Sequence, residues 1–218
     1  MRFYHVLDDV LGRRSSVRLL RFLIRSGGEH SGRDLARLVG LDHKTCHDAL
    51  RELAEQGVIT ARKIGTAIAY SLRQDHPLVQ GILRPAFENE ENLIEQYVRE
   101  AQKLSGVPVE SIIVFGSVAR KEEVPRSDVD ILVITKDAYS KAQAEDALAE
   151  AAGALAAKYG SVPQFIVEER RSFRNKVVHG HPLHSSILRD GRVVAGKSMA
   201  ELLKDDAQED RHAKRSSR

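Results

Sequence analysis

At 218 residues the chain is long enough for one large domain or two small ones, each with a core of its own, and two small domains is the better starting expectation. Hydrophobic residues at 42%, charged residues at 30%, no Trp and only 5% aromatics describe an ordinary globular protein and argue against a stacking platform for single-stranded nucleic acid. The formal charge of +3 is slight, so any contact with nucleic acid has to be read from where the charges sit.

Cys46 is the only cysteine and has no intrachain disulfide partner. Met1 to Leu11 carry Asp8 and Asp9 where a signal peptide needs an apolar core, so a reducing cytoplasm is the expected compartment. No uncharged apolar run approaches the roughly 20 residues that span a bilayer, and no membrane contact is expected.

In chain order, Val17, Leu19, Leu20, Leu23 and Ile24 recur at helical spacing and predict a first helix over Ser15 to Arg25, stopped by Gly27-Gly28. Ser31 caps a short second helix carrying Leu35, Ala36 and Leu38, which Gly40 ends. Asp42 caps a third, running to about Gln56, with Cys46, Ala49, Leu50 and Leu53 facing inward. Val58-Ile59 opens one strand and Thr66 to Leu72 forms another, with Ile64-Gly65 as the turn.

The run from Ser31-Gly32-Arg33-Asp34-Leu35-Ala36 through Leu50-Arg51-Glu52-Leu53 to Gly57-Val58-Ile59 resembles the winged-helix repressors of the ArsR and MarR type. That resemblance implies double-stranded DNA as a partner, with the third helix entering the major groove through His43, Lys44, Thr45, His47 and Asp48, and Arg51 one turn on. Lys44 and Arg51 are candidates for phosphates or guanine edges, and Arg62, Lys63 and Arg73 for backbone or minor-groove contact from the wing. It also implies a homodimer reading two symmetric half-sites. His43, Cys46 and His47 invite a metal-sensor reading, but Cys46 falls on the apolar side of its helix and should not converge with the two imidazoles.

Beyond Leu72 a helical stretch follows His76-Pro77, is interrupted by Pro85, and resumes from Glu88 to Ser105 with a spare apolar face. A strand Ser111 to Phe115, a strand Asp128 to Thr135, an alanine-rich helix Ala142 to Lys158 and a strand Gln164 to Val167 then predict a small α/β domain. His179, His181 and His184 fall in a Gly- and Pro-containing stretch expected to be a solvated loop, and Asp205 to Arg218 is expected to be a disordered tail. The expected layout is a winged helix over 1–76, connecting helices over 77–105, the α/β domain over 106–198 and a charged tail over 199–218.

Ile112-Ile113-Val114-Phe115-Gly116-Ser117-Val118-Ala119-Arg120, followed by Ser127-Asp128-Val129-Asp130-Ile131-Leu132-Val133, resembles the minimal nucleotidyltransferases of the DNA polymerase beta superfamily. The two resemblances imply an α+β chain: a winged helix-turn-helix domain, then a small nucleotidyltransferase-fold domain with a mixed sheet. Side chains alternate along a strand, so Asp128 and Asp130 project together, and two such carboxylates repel unless a cation lies between them. Mg2+, or Mn2+, completed by the phosphates of a nucleoside triphosphate fits that requirement. Gly116 lets a phosphate approach the backbone, Ser117 offers a hydroxyl, and Arg120 and Lys121 are candidate cations for the triphosphate. Catalysis in such a site is positioning and electrostatics, with Asp128 and Asp130 as catalytic and metal residues.

Two departures stand out. The third carboxylate usual in the family is best matched by Gln164, a neutral amide that holds no second metal and accepts no proton. Glu168 shares the parity of Gln164 and would supply the acid if the register were shifted. Lys121 stands where the family commonly has Gly. Three readings stay open: transfer of a nucleotidyl group to a hydroxyl on a protein or small molecule, a catalytically inactive sensor or dimerisation module, and an antitoxin-like partner of another protein.

Overall fold

The structure, a computed structural model, describes residues 3–125 and 127–204; of the charged tail expected over 199–218, residues 205–218 lie outside the described residues, while Met199–Leu202 form a helix that buries Leu202. Two compact units divide the chain, Met1–Asn92 and Leu93–Arg218. The stretch 77–105, expected as a connector, is therefore shared between them.

The first unit opens with α1 (Val6–Leu11), which periodicity does not announce because only Val10 is buried in it. Helix α2 (Arg14–Ser26) buries Leu19, Leu20, Leu23 and Ile24 at the expected spacing and stops at Gly27, whose φ of 61° needs a glycine. A short strand, β1 (His30–Ser31), leads into α3 (Gly32–Val39), where the Ser31 hydroxyl accepts from the Asp34 amide at 3.1 Å. The Asp42 carboxylate caps α4 (His43–Glu55) by accepting from Thr45 N at 2.9 Å, and hydrogen bonding from the Thr45 side chain, then from its amide, holds the carboxyl below the usual range.

Strands β2 (Ile59–Ile64) and β3 (Ala67–Leu72) form the wing, and β1 pairs with β3 to give the order β1-β3-β2. The tip is Gly65-Thr66, one residue beyond the expected turn, and β1 was not expected at all. A π-helical turn, Val79–Leu83, runs into α5 (Arg84–Glu91). Pro85, expected to interrupt a helix, occupies the first turn of α5, where its missing N–H forfeits no helical bond. Leu19, Leu23, Leu35, Leu50, Leu53, Ile59 and Val79 make up the heart of the core.

The second unit begins with α6 (Leu93–Ser105), which buries Tyr97, Val98 and Ala101. Its sheet has the order β6-β5-β4-β7 and is mixed: β4 (Ser111–Phe115) runs antiparallel to β5 (Val129–Thr135) and to β7 (Arg192–Gly196), while β5 and β6 (Pro163–Glu169) are parallel. Parallel neighbours need a crossover, supplied by α8 (Ala138–Tyr159), which starts earlier than the alanine run predicts because Asp137 caps it through Ser140 N.

Both faces of β5 are covered, which explains its unbroken apolar run. Ile131 and Val133 pack with Leu148 and Leu155 of α8, while Leu132 and Ile134 pack with Phe173, Ile187 and Leu202. The last three belong to α9 (Arg170–Val178), α10 (Pro182–Asp190) and α11 (Met199–Leu202), none of which sequence periodicity predicts.

The solvated loop expected around His179, His181 and His184 is corrected for His184 alone, since His179 and His181 are exposed at the turn between α9 and α10. His184 lies on α10, 1% exposed, with its ring 5.7 Å from that of Phe173. A core position filled by histidine hides the helix from a reading that counts apolar residues.

Candidate functional site

Strand β4 ends at Phe115, whose Cα partner on β5 is Asp130. The next residue, Gly116, has φ 71° and starts the short helix α7 (Gly116–Arg120). A Cβ on residue 116 would stand 2.0 Å from Asp130 Oδ2 and 3.0 Å from its Cγ, so the Asp130 carboxylate occupies the space that any other residue's side chain would need. Ser117, half-buried, follows at the same bend.

Asp128 stands just ahead of β5, outside the strand in which it was expected, and is exposed, whereas Asp130 is half-buried. Burial pushes the Asp130 carboxyl up, the charge of Asp128 adds to the rise, and Arg120 opposes it. Across the parallel ladder the Cα partner of Asp130 is Gln164, whose Nε2 lies 3.5 Å from Asp128 Oδ2. Two carboxylates that repel each other beside a backbone cradle fit a hard divalent cation that keeps waters and takes further oxygens from phosphate.

Glu168 does not supply the third acid. Its Cα partner is Ile134, four positions beyond the Asp130–Gln164 pair and about 13 Å along the strand. Its carboxylate is buried, accepting from Lys176 Nζ at 2.7 Å and lying 3.0 Å from His184 Nε2. His184 Nδ1 in turn lies 3.2 Å from His181 Nδ1. Parity alone had left Glu168 open; the register closes it.

Arg120 is exposed and donates from Nε to Glu122 at 2.8 Å. It also helps hold down Asp190 of α10, whose chief partner is Arg189. Sequence reasoning missed both acids, because Glu122 sits in an irregular segment and Asp190 at the end of an unpredicted helix. Lys121 has φ 59°, the left-handed conformation that favours glycine, which accounts physically for the family's usual residue there.

On the winged helix, His43, Lys44, Thr45, His47 and Arg51 are all exposed on α4. Arg51 is 3.6 Å from Asp48 and 3.9 Å from Glu55 on its own helix, exposed pairs of the kind that hold a side chain weakly. The wing separates its two tip cations: Arg62 is opposite Ala69 and Lys63 opposite Ile68, so they project from opposite faces. Lys63 shares the face of Tyr70, while Arg62 is 2.6 Å from Glu29. Arg73 lies at the foot of the wing, a strand's length from the tip, and donates to Gly57 O at 3.3 Å.

Cys46 is buried with Sγ 3.6 Å from Gly32 O, and burial pushes its thiol up, with Asp42 adding. His43 and His47 stay outside, as helix spacing predicts. Among the described residues no three His, Cys, Asp or Glu side chains gather to hold a metal, and no helix is long and apolar enough to cross a membrane.

A mixed sheet whose Gly-Ser bend meets an Asp-Val-Asp strand defines a nucleotidyltransferase-type domain behind a winged helix-turn-helix. Residues 94–193 match the family model described as "Nucleotidyltransferase domain", and residues 13–60 match "Winged helix-turn-helix DNA-binding". A protein of Methanocaldococcus jannaschii, provisionally named a protein adenylyltransferase, is 31% identical over 106 residues, which are 49% of this chain and 98% of that protein. The chain belongs to the nucleotidyltransferase family and carries a winged helix of DNA-binding type in front of that domain. Both resemblances, and the α+β fold class, are thereby borne out.

Similar solved structures include the antimony-specific transcriptional repressor AntR, at 30% identity, 43% of this chain, 78% of that one and a TM-score of 0.36. The homodimeric winged helix-turn-helix domain of a Mycobacterium bovis protein is 21% identical over 42% of this chain and 86% of that one, with a TM-score of 0.33.

Proposed function

We propose that this protein is a DNA-binding regulator whose second domain holds a magnesium-bound nucleoside triphosphate and transfers its nucleotidyl group to a hydroxyl on a protein or small molecule. The observation that carries the reading is the Asp130 carboxylate standing where a side chain at position 116 would be. Asp128 and Asp130 would hold the cation; when bound, it neutralises charge on the phosphates as pyrophosphate departs.

Gly116 admits the triphosphate to the backbone, Ser117 donates its hydroxyl, and Arg120 swings from Glu122 to a phosphate oxygen, a stronger acceptor of a guanidinium fork. Lys121, held left-handed at the end of α7, is a further cation at the rim. In the first domain Lys44, Thr45, His43 and His47 meet the major groove, with Arg51 and the wing residues Arg62, Lys63 and Arg73 supplying phosphate contacts. Two copies then read symmetric half-sites.

Gln164 favours a second reading, in which the site holds the nucleotide without transferring it. Its amide neither accepts the acceptor's proton nor adds charge beside Asp130. Incubating the full chain with nucleoside triphosphates labelled at the α-phosphorus, Mg2+ and candidate protein partners separates the two. Label that becomes covalent, and is lost in Asp128→Asn and Asp130→Asn, supports transfer. Nucleotide bound without covalent label selects the second reading, and label that persists in both variants implicates a different site.

A further inference from the structure

His179, His181 and His184 stand where α9 turns into α10, and the nucleotide site uses none of them. His181 is the N-cap of α10, but its side chain makes no capping bond, and His184 follows three residues on, so the two rings share one side of the helix. Their Nδ1 atoms lie 3.2 Å apart, with the ring planes at 85°. His181 is exposed and His184 is buried. His179 is engaged elsewhere, through Nδ1 to Asn175 O at 2.7 Å.

Glu168 fixes where the hydrogens sit. Its carboxylate accepts from Lys176 Nζ at 2.7 Å, and its two oxygens lie 3.1 and 3.0 Å from His184 Nε2. An ionised carboxylate only accepts, so Nε2 carries the hydrogen of the neutral ring and Nδ1 keeps its lone pair. That lone pair faces the exposed ring of His181. A carboxylate bound behind an imidazole whose other nitrogen is left open is the arrangement that orients metal-binding histidines and makes them better donors.

We propose that His181 and His184 form a zinc site, separate from the Asp128–Asp130 pair. Two nitrogens at Zn–N distances of about 2.0–2.1 Å and a tetrahedral angle stand about 3.3 Å apart, close to the observed 3.2 Å. Imidazole nitrogen selects Zn2+ over Mg2+, and water completes the coordination on the exposed side. The ion takes the place of the hydrogen that His181 otherwise donates from Nδ1. His181 passes to its Nε2–H tautomer, so no proton is lost. Glu168, behind the site, is about 13 Å along the strand from the level of Asp130, too far for the two sites to share an ion.

The test is a titration of the full chain with Zn2+ against a chromophoric chelator, with excess Mg2+ present to occupy the carboxylate pair. A His47→Ala background removes the i,i+4 imidazoles of α4 as competitors. A single Zn2+ should bind, and His181→Ala, a change at an exposed side chain, should raise its Kd by roughly tenfold or more while leaving the melting curve of the metal-free protein alone. His179→Ala should leave the Kd unchanged. Nitrogen-15 spectra of the imidazoles should show His181 passing to the Nε2–H tautomer at saturation, which scattered surface binding would not produce. No binding of Zn2+, an unchanged Kd in His181→Ala, an equal loss in His179→Ala, displacement by Mg2+, or a His181 tautomer that does not change would each overturn the proposal.

Discussion

Asp130 Oδ2 lies 2.0 Å from the point where a Cβ on Gly116 would sit, so the bend after β4 and the acid of β5 exist only in each other's company. Gly116→Ala introduces that atom at a φ of 71°. We predict a cost of about 1–3 kcal/mol in stability and at least a tenfold loss of nucleotide affinity, read by denaturant unfolding and by Mg·ATP titration.

Burial, and then the neighbouring Asp128, raise the Asp130 carboxyl. The folded chain therefore binds that proton more tightly than the unfolded one, and stability falls as pH climbs from the ordinary value of 3.8 through the raised one. Asp130→Asn removes the penalised charge. It should be more stable than wild type above that window and equal to it below, in unfolding curves taken from about pH 3 to about pH 8. A variant less stable at neutral pH would contradict the assignment.

Gln164 is the Cα partner of Asp130 across the ladder, and the resemblance makes it the best match to a third carboxylate. Gln164→Asp should therefore tighten divalent-cation binding roughly tenfold in the presence of nucleotide, the scale of one added charge at close range. Mn2+ titration followed by electron paramagnetic resonance gives both affinity and stoichiometry without relying on turnover. Unchanged Mn2+ binding would show that position 164 does not face the cation.

Lys44 and the wing tip make separable predictions. Lys44→Ala should weaken DNA binding and lower the salt-dependence slope by about 0.9, the loss of one phosphate contact. Lys63→Ala should weaken binding more than Arg62→Ala, because Arg62 leaves by the opposite face and is engaged by Glu29. Fluorescence anisotropy across a salt series checks both.

Glu168 and His184 are buried together, with 8% and 2% of their side chains exposed. His184→Leu leaves the carboxylate short of a partner in an apolar layer and should destabilise the second unit by about 3 kcal/mol. Unfolding followed by circular dichroism measures it, and nucleotide affinity should change far less than stability.

Much of this was legible in the sequence, and the failures share a cause. Ser31, Gly40 and Asp42 announce helix ends by local chemistry, and each does so in the structure through its own hydrogen bond or φ value. Gly116, Asp128, Asp130 and Gln164 were readable through the resemblance to the nucleotidyltransferases, although Asp128 proves to stand just ahead of β5. Helices α9 and α10 were not, since Arg170 and His184 occupy buried positions that apolar counting skips. The opposite faces of Arg62 and Lys63 follow from alternation along β2 itself; what that strand does not reveal is that Arg62 meets Glu29. Glu168 shows the same limit: its parity matched Gln164, but only pairing with Ile134 places it at the far end of β6.

The most direct measurement is the Mg2+-dependent binding of a nucleoside triphosphate to the full chain by calorimetry, beside Asp128→Asn and Asp130→Asn. Saturable binding that needs the divalent cation and drops at least tenfold in either variant is the predicted result. Binding that is indifferent to both acids, or no binding at all, would contradict the central claim that this carboxylate pair serves a phosphate-bound cation.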